Sequence, residues 1–395
     1  MKQSLKIIIS SLLLILIASP LSSQRPSHRV SVFNIEVPLR VFRGDKFIDN
    51  LTKDDFELYD NGIKQKIEAL YLIRKTTIDK QEGSTAFHPR VARHFVLFFE
   101  VHEYLPKLAE AVKFFFEKVF QPGDSLIVIT PLKTYRIKPT ASHRLSPEKL
   151  ASQLINHLKK DIKIGSSEYR TILRDLEESL RGGIDETTLP LFKQHLQKLE
   201  DLRQVDEDSL LRFAEFLKKK EGQKYVFLFY QKERIPQITP QQLNQLTSVN
   251  QDKPNIIFQI MELFEFYRRE IAFNINRVKQ HYADSSISIH FLFLTKVPSP
   301  DLEVTTMRPS GLVMNEQSED IFSAFREIAQ ATGGLVTSSA NASAAFQQVI
   351  KAAENYYLLY YTPNNYKPDG SFHRLKVKVK KPHLRVIHRA GYFAD

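Results

Sequence analysis

Three side chains with metal-binding chemistry stand close together at one point of the chain. Glu100 lies near the end of the apolar run HFVLFFEV, and His102 and Glu103 follow it directly. One imidazole and two carboxylates match the donors that zinc accepts in catalytic sites. Alternation along a strand end places Glu100 and His102 on one side, but the spacing identifies no further ligand elsewhere. A rebuilt metal site and a polar rim at the end of a strand are therefore both open hypotheses.

Other sequence signals of catalysis are absent. The chain has no cysteine, no Gly-x-Ser-x-Gly elbow and no phosphate-binding loop. Its 12 histidines are spread without the spacing of metal ligands. We therefore predict a protein that is not an enzyme, has no catalytic residues and needs no cofactor.

The first residues have the pattern of a secretory signal peptide. Lys2 and Lys6 precede an apolar run from Ile7 to Ala18, and small residues follow at 19–24. The run is shorter than the roughly 20 apolar residues that a membrane-spanning helix needs. We predict a signal peptide at residues 1–23 and a periplasmic or extracellular location. Since no cysteine follows the run, neither a lipid anchor nor a disulfide is expected.

Composition limits the classes of partner. The 395 residues suffice for two or three hydrophobic cores, and no later segment has membrane-spanning length. The formal net charge is +11, and the 56 Lys and Arg residues are scattered among 45 acidic residues. The longest basic tract is Lys218–Lys220. This surplus predicts a weak attraction to anionic surfaces and no nucleic-acid partner.

The middle of the chain alternates between buried strands and helices. Continuous apolar runs at 94–101, 125–130, 225–230 and 287–294 are typical of strands that are buried on both faces. Amphipathic segments between them favour helices. We predict an α/β domain at 93–354, with a doubly wound, mostly parallel sheet. A helical, strongly charged insertion is expected at residues 146–220 within this domain.

Both ends of the mature chain have strand patterns. Residues 28–75 alternate between apolar and polar side chains, and residues 355–395 contain further strand-like runs. Residues 76–92 lack periodicity, which predicts a linker. Either end alone is too small for a stable core, so we predict that both ends build one β-sandwich together.

Several motifs near the two ends resemble one bacterial family. These are LTKDDF at 51–56, DNG at 60–62, ATGG at 331–334, YYLLYYTP at 356–363 and RAGY at 389–392. They resemble bacterial proteins related to von Willebrand factor A, of the type abundant in acidobacteria. The resemblance implies an A-type domain that binds other proteins, and it covers nearly the whole mature chain.

The same resemblance implies where a metal-dependent adhesion site would lie. That site uses Asp-x-Ser-x-Ser after the first strand, since a hard cation prefers carboxylate and hydroxyl oxygens. Here Glu100 replaces the aspartate, and His102 and Tyr104 replace the two serines. Gln231 and Lys232 stand where an acidic residue is expected. We therefore predict a degenerate site that holds no divalent metal.

These observations lead to one preferred function and two alternatives. The preferred function is an exported protein that binds an unknown protein partner without metal. Its predicted docking residues are Glu100, His102, Glu103, Tyr104, Gln231, Lys232 and Glu233. The helical insertion is a second candidate surface. The alternatives are a hydrolase or other enzyme with a metal at Glu100, His102 and Glu103, and a purely structural envelope component.

Overall fold

A computed structural model describes most of the chain. The described residues are 33–137, 145–181, 186–238, 240–256, 258–259, 262, 273–295, 312–316, 318–364 and 366–395. Asn34–Asp395 forms one compact unit. The signal peptide predicted at residues 1–23 lies outside the described residues. Nowhere in the described part does a helix combine the length and apolar character needed to cross a bilayer.

The secondary-structure elements fall into strands and helices as follows. The strands are β1 (Ile35–Arg43), β2 (Lys46–Phe47), β3 (Phe56–Asp60), β4 (Ile63–Gln65), β5 (Ala69–Arg74), β6 (Thr77–Gly83), β7 (Arg93–Glu100), β8 (Ser125–Ile129), β9 (Thr134–Ile137), β10 (Gln223–Gln231), β11 (Arg234–Ile238), β12 (Ile287–Leu294), β13 (Leu312–Glu316), β14 (Val336–Ser339), β15 (Asn355–Tyr361), β16 (Phe372–Val379), β17 (Arg385–His388) and β18 (Gly391–Phe393). The α-helices are α1 (Pro106–Phe114), α2 (Pro147–Gly165), α3 (Ser167–Arg181), α4 (Thr188–Arg203), α5 (Glu207–Lys218), α6 (Pro240–Val249), α7 (Ile275–Asp284), α8 (Glu319–Ala331) and α9 (Ala342–Ala353).

Strands from both ends of the chain form two antiparallel sheets. One has the order β17-β1-β15-β5-β6, with β2 paired to β1, and the other has the order β18-β16-β3-β4. Their apolar faces share a buried cluster that includes Val37, Leu58, Leu359 and Val377. The first and last segments of the chain are therefore neighbours in space.

The linker predicted at residues 76–92 is partly wrong. Thr77–Gly83 is strand β6, which pairs with β5 at the edge of its sheet. Most of its side chains are polar and exposed, so it has no apolar period to indicate a strand. Its hydrogen bonds to β5 hold it in place instead.

The central sheet has the order β14-β12-β10-β7-β8-β9. Neighbours from β14 to β8 pair in parallel, and β9 pairs with β8 in antiparallel. Helices α1, α2 and α9 cover one face, where Phe99, Leu108 and Phe346 belong to one core. Helices α5, α7 and α8 cover the other face around Val226 and Val278. Burial on both faces explains the continuous apolar runs of β7, β10 and β12.

The predicted fold class is wrong for the molecule. The sequence predicted a doubly wound, mostly parallel sheet and a separate sandwich, but this is a mixed α/β protein in which most described strand pairs are antiparallel. Among the strand pairs of the described residues, parallel pairing is confined to the central sheet. The apolar runs that dominate the sequence come from that sheet. Short or polar strands such as β4, β6 and β9 have only a weak apolar pattern in the sequence. The sequence therefore predicted too small a proportion of antiparallel strand pairs.

Candidate functional site

Two of the predicted segments meet at the carboxyl end of the central sheet. Strands β7 and β10 are parallel neighbours, and Glu100 pairs in register with Tyr230. The chain after β7, residues 101–104, therefore lies beside the end of β10 and the two residues after it, 231–233. We call residues 100–104, the last residue of β7 and the loop after it, the edge loop.

Gln231 fixes the backbone of the edge loop. Its side-chain oxygen accepts hydrogen bonds from the amides of His102 (3.1 Å) and Glu103 (3.0 Å), and Gln231 is 3% exposed. On the other side, Ser166 Oγ donates to the carbonyl of Val101 (3.3 Å). Arg170 Nη1 donates to the carbonyl of His102 (3.1 Å). Hydrogen bonds from β10 and from the helical insertion therefore hold the loop in place.

The side chains of the edge loop are presented to solvent to different degrees. Glu100 and Glu103 are exposed, and His102 and Tyr104 are half-buried. The His102 ring packs against Tyr169, with ring centroids 4.8 Å apart. The ammonium of Lys159 lies 5.3 Å from the centre of the Tyr104 ring. The loop therefore offers two carboxylates beside two anchored rings.

Gln231 and Glu233, two of the predicted docking residues, make contacts inside the protein. Both are buried, and Glu233 forms an ion pair with the buried Arg203 of α4. Tyr230 donates its hydroxyl proton to Glu233 Oε1 (2.8 Å), and the Glu233 amide donates to Ser318 Oγ (2.8 Å). Lys232, the third predicted residue of this segment, is half-buried. These contacts lie beneath the edge loop and support it.

Glu100 has an unusual proton affinity. Desolvation by the surrounding protein atoms, with repulsion from Glu233 second, raises the pKa of its carboxyl to about 7. Because the side chain is exposed, solvent screens part of this effect. Glu100 therefore changes its charge near neutral pH.

The hypothesis of a rebuilt metal site needs three ligands that converge on one point. In the described part of the chain, no three His, Asp or Glu side chains are grouped so that they could hold a metal ion. Glu100, His102 and Glu103 therefore do not form a ligand set, although they are close in sequence. The amides of His102 and Glu103 bond to Gln231, which stands where the resemblance led us to expect an acidic residue.

The contacts that the helical insertion makes with this site were not predicted. Arg203 supplies the cation for Glu233, and Tyr169 and Arg170 contact His102. One signal could have found Arg203. It continues the apolar stripe of α4, which consists of Leu189, Phe192, Leu196 and Leu199. A basic residue at such a position indicates a buried ion pair.

The chain shows little similarity to known proteins. No protein-family model matches the chain, and no curated protein matches it. A crystal structure of the human COPII-coat protein Sec24c matches with a TM-score of 0.31 and 8% sequence identity. The match covers 76% of this chain and 43% of that chain. So slight a likeness assigns neither a fold nor a function.

Proposed function

We propose that this is an exported, non-enzymatic protein that binds a protein partner at the edge loop. The observation that carries the proposal is the pair of hydrogen bonds that the amides of His102 and Glu103 donate to Gln231 Oε1, which orders the backbone while the Glu100 and Glu103 side chains stay exposed. A surface that is ordered before binding loses less entropy on association. The signal-peptide pattern at residues 1–23 supports export. The motif resemblance to von Willebrand factor A-related proteins is consistent with a binding role.

The electrostatics of the loop indicate what the partner presents. Glu100 lies near the carboxylate of Glu233, whose own charge is already paired with Arg203. A Lys or Arg side chain from a partner would favour the ionised form of Glu100. We therefore expect a partner with a basic contact residue. Since that contact needs the carboxylate, affinity should rise as pH increases through about 7.

Site-specific cross-linking tests the proposal. A photo-reactive residue replaces Glu103, which is exposed, and a control variant carries it at Lys113, exposed on α1. Each full mature protein is illuminated in envelope and culture-fluid extracts of the source organism. We expect one discrete cross-linked species from position 103 that is absent from position 113. Its yield should be higher at about pH 8 than at about pH 6.

Other outcomes separate the alternatives. An identical set of products from both positions, or none from position 103, would refute docking at the edge loop. A purely structural component would cross-link chiefly to copies of itself. If Glu100→Gln keeps the cross-linked species but abolishes its pH dependence, the loop is the docking site and Glu100 is its pH-sensitive contact.

A further inference from the structure

A large groove lies between the sheets of the chain ends and the central sheet. Its volume is about 1610 Å³, larger than the roughly 300–1,000 Å³ of ordinary small-molecule pockets. Strands β16 and β17 and the β1–β2 turn form one wall, and α7, α9 and β14 form the other. Its lining includes apolar side chains such as Phe47, Val349 and Leu375 as well as polar ones. These dimensions suit a segment of polypeptide.

The groove is positively charged. Four of its cations are exposed and form no ion pair with any carboxylate in the described part of the chain: Lys46, Lys351, Arg374 and Arg385. A further cation, Lys279, pairs with Glu327 at 3.3 Å. Asp45 is the acidic residue of the described lining. An occupant with negative charges would therefore complement this wall.

One wall is the open edge of the central sheet. Strand β14 is the last strand in the sheet order, and Val336 and Thr337 line the groove. The amide of Phe291 donates to the carbonyl of Leu335 (2.8 Å), so alternate residues from Leu335 face β12. The backbone groups of Val336 and Ser338 consequently point away from β12. Among the described residues no second strand pairs with this edge.

We propose that the groove binds an acidic, extended peptide segment of another protein, which adds as a strand to β14. Main-chain hydrogen bonds to Val336 and Ser338 would give affinity, and acidic side chains would contact the cations. A nucleic acid could meet the same charges, but it has no peptide groups to pair with a strand edge. The combination of edge and charge therefore favours a peptide. This site is separate from the edge loop and does not depend on it.

Fluorescence anisotropy with a labelled peptide of alternating Glu and Val residues tests the charge component. We expect saturable binding to the mature protein that weakens as salt is added. The double variant Lys351→Glu/Arg374→Glu should bind about tenfold more weakly. The matched control Lys113→Glu/Lys118→Glu reverses the same number of exposed charges on or just after α1, outside the groove lining, and should bind normally.

The strand-pairing component has its own test. The same peptide with alternate amides N-methylated keeps its charges but cannot pair with β14, and we expect about tenfold weaker binding. Ser338→Pro removes one outward amide from the protein and should act in the same direction. Equal binding of the two peptides would overturn the proposal in favour of a simple polyanion site. No binding, stronger binding of a single-stranded nucleic acid, or equal loss in the control variant would also overturn it.

Discussion

The identity of Gln231 allowed a prediction about chemistry at that position but not about its contacts. The sequence shows an amide where the family resemblance implies an acidic residue, and this is one basis for predicting a degenerate metal site. It did not show that the amide oxygen binds two backbone amides of the edge loop (3.0 and 3.1 Å). Those donors lie more than a hundred residues earlier in the chain, so no local pattern reports the contact. Residue chemistry could be predicted here, but pairing across the fold could not.

At the same scale, Glu100→Gln should change how stability depends on pH. The folded pKa of about 7 is above the ordinary value of 4.5, so between these values the folded state binds more protons than the unfolded state. Wild-type stability should therefore fall as pH rises through this window. Glutamine does not titrate. The free energy of unfolding of the variant should therefore rise relative to that of the wild type between about pH 5 and about pH 8, by about 1 kcal/mol or less after solvent screening. Thermal unfolding at both pH values measures it, and a pH-independent difference would contradict the assignment.

At the scale of elements, the strength of the apolar signal decided what could be predicted. Strands β7, β10 and β12 have continuous apolar runs, and all of them lie inside the central sheet. Strand β6 is mostly polar, and β11 and β13 pair with each other across a long stretch of sequence. A polar or distant pairing has no period of its own, so the sequence could not indicate these strands. In helix α4 the apolar residues show the spacing of a buried helix face, but the sequence was not used to predict that Arg203 lies on the same face.

Helix α4 also supports the edge through Arg203. Arg203→Ala would leave the buried Glu233 carboxylate without its cation. We expect a loss of about 3–5 kcal/mol in the free energy of unfolding. Urea unfolding should show a lower midpoint with an unchanged slope. The control Arg174→Ala removes an exposed arginine from α3 and should stay within about 0.5 kcal/mol of wild type. A comparable loss in both variants would contradict the role of this ion pair.

At the scale of the whole molecule, a buried network joins the two ends of the chain. Asp60 Oδ2 accepts hydrogen bonds from the hydroxyls of Tyr361 and Tyr392, each at 2.8 Å. His373 Nδ1 lies 2.9 Å from Asp60 Oδ1. The sequence predicted that both ends contribute strands to a common structure, because neither could bury a core alone. It could not predict the share of antiparallel pairing or this network, since both depend on distant contacts.

Asp60→Ala tests whether this network joins the ends. It leaves two buried hydroxyl groups without their acceptor, each costing about 1–3 kcal/mol. We expect a single unfolding transition with a midpoint lowered by roughly 3–8 °C, because the entropy of unfolding of a chain of this size is large and each kcal/mol shifts the midpoint by only about 1 °C. Calorimetry of the mature protein measures this. The exposed Asp45→Ala is the control. An unchanged midpoint for Asp60→Ala would mean that the network does not join the ends.

We propose that Gln231 and the helical insertion order the edge loop without a metal ion. Thermal unfolding of residues 24–395, first with a chelator and then with magnesium, manganese, calcium or zinc, tests this most directly. A ligand that binds only the folded state raises the midpoint in a concentration-dependent way. We predict no saturable shift with any of these ions. A saturable shift that disappears in Glu100→Ala would contradict the account and favour a metal-dependent enzyme.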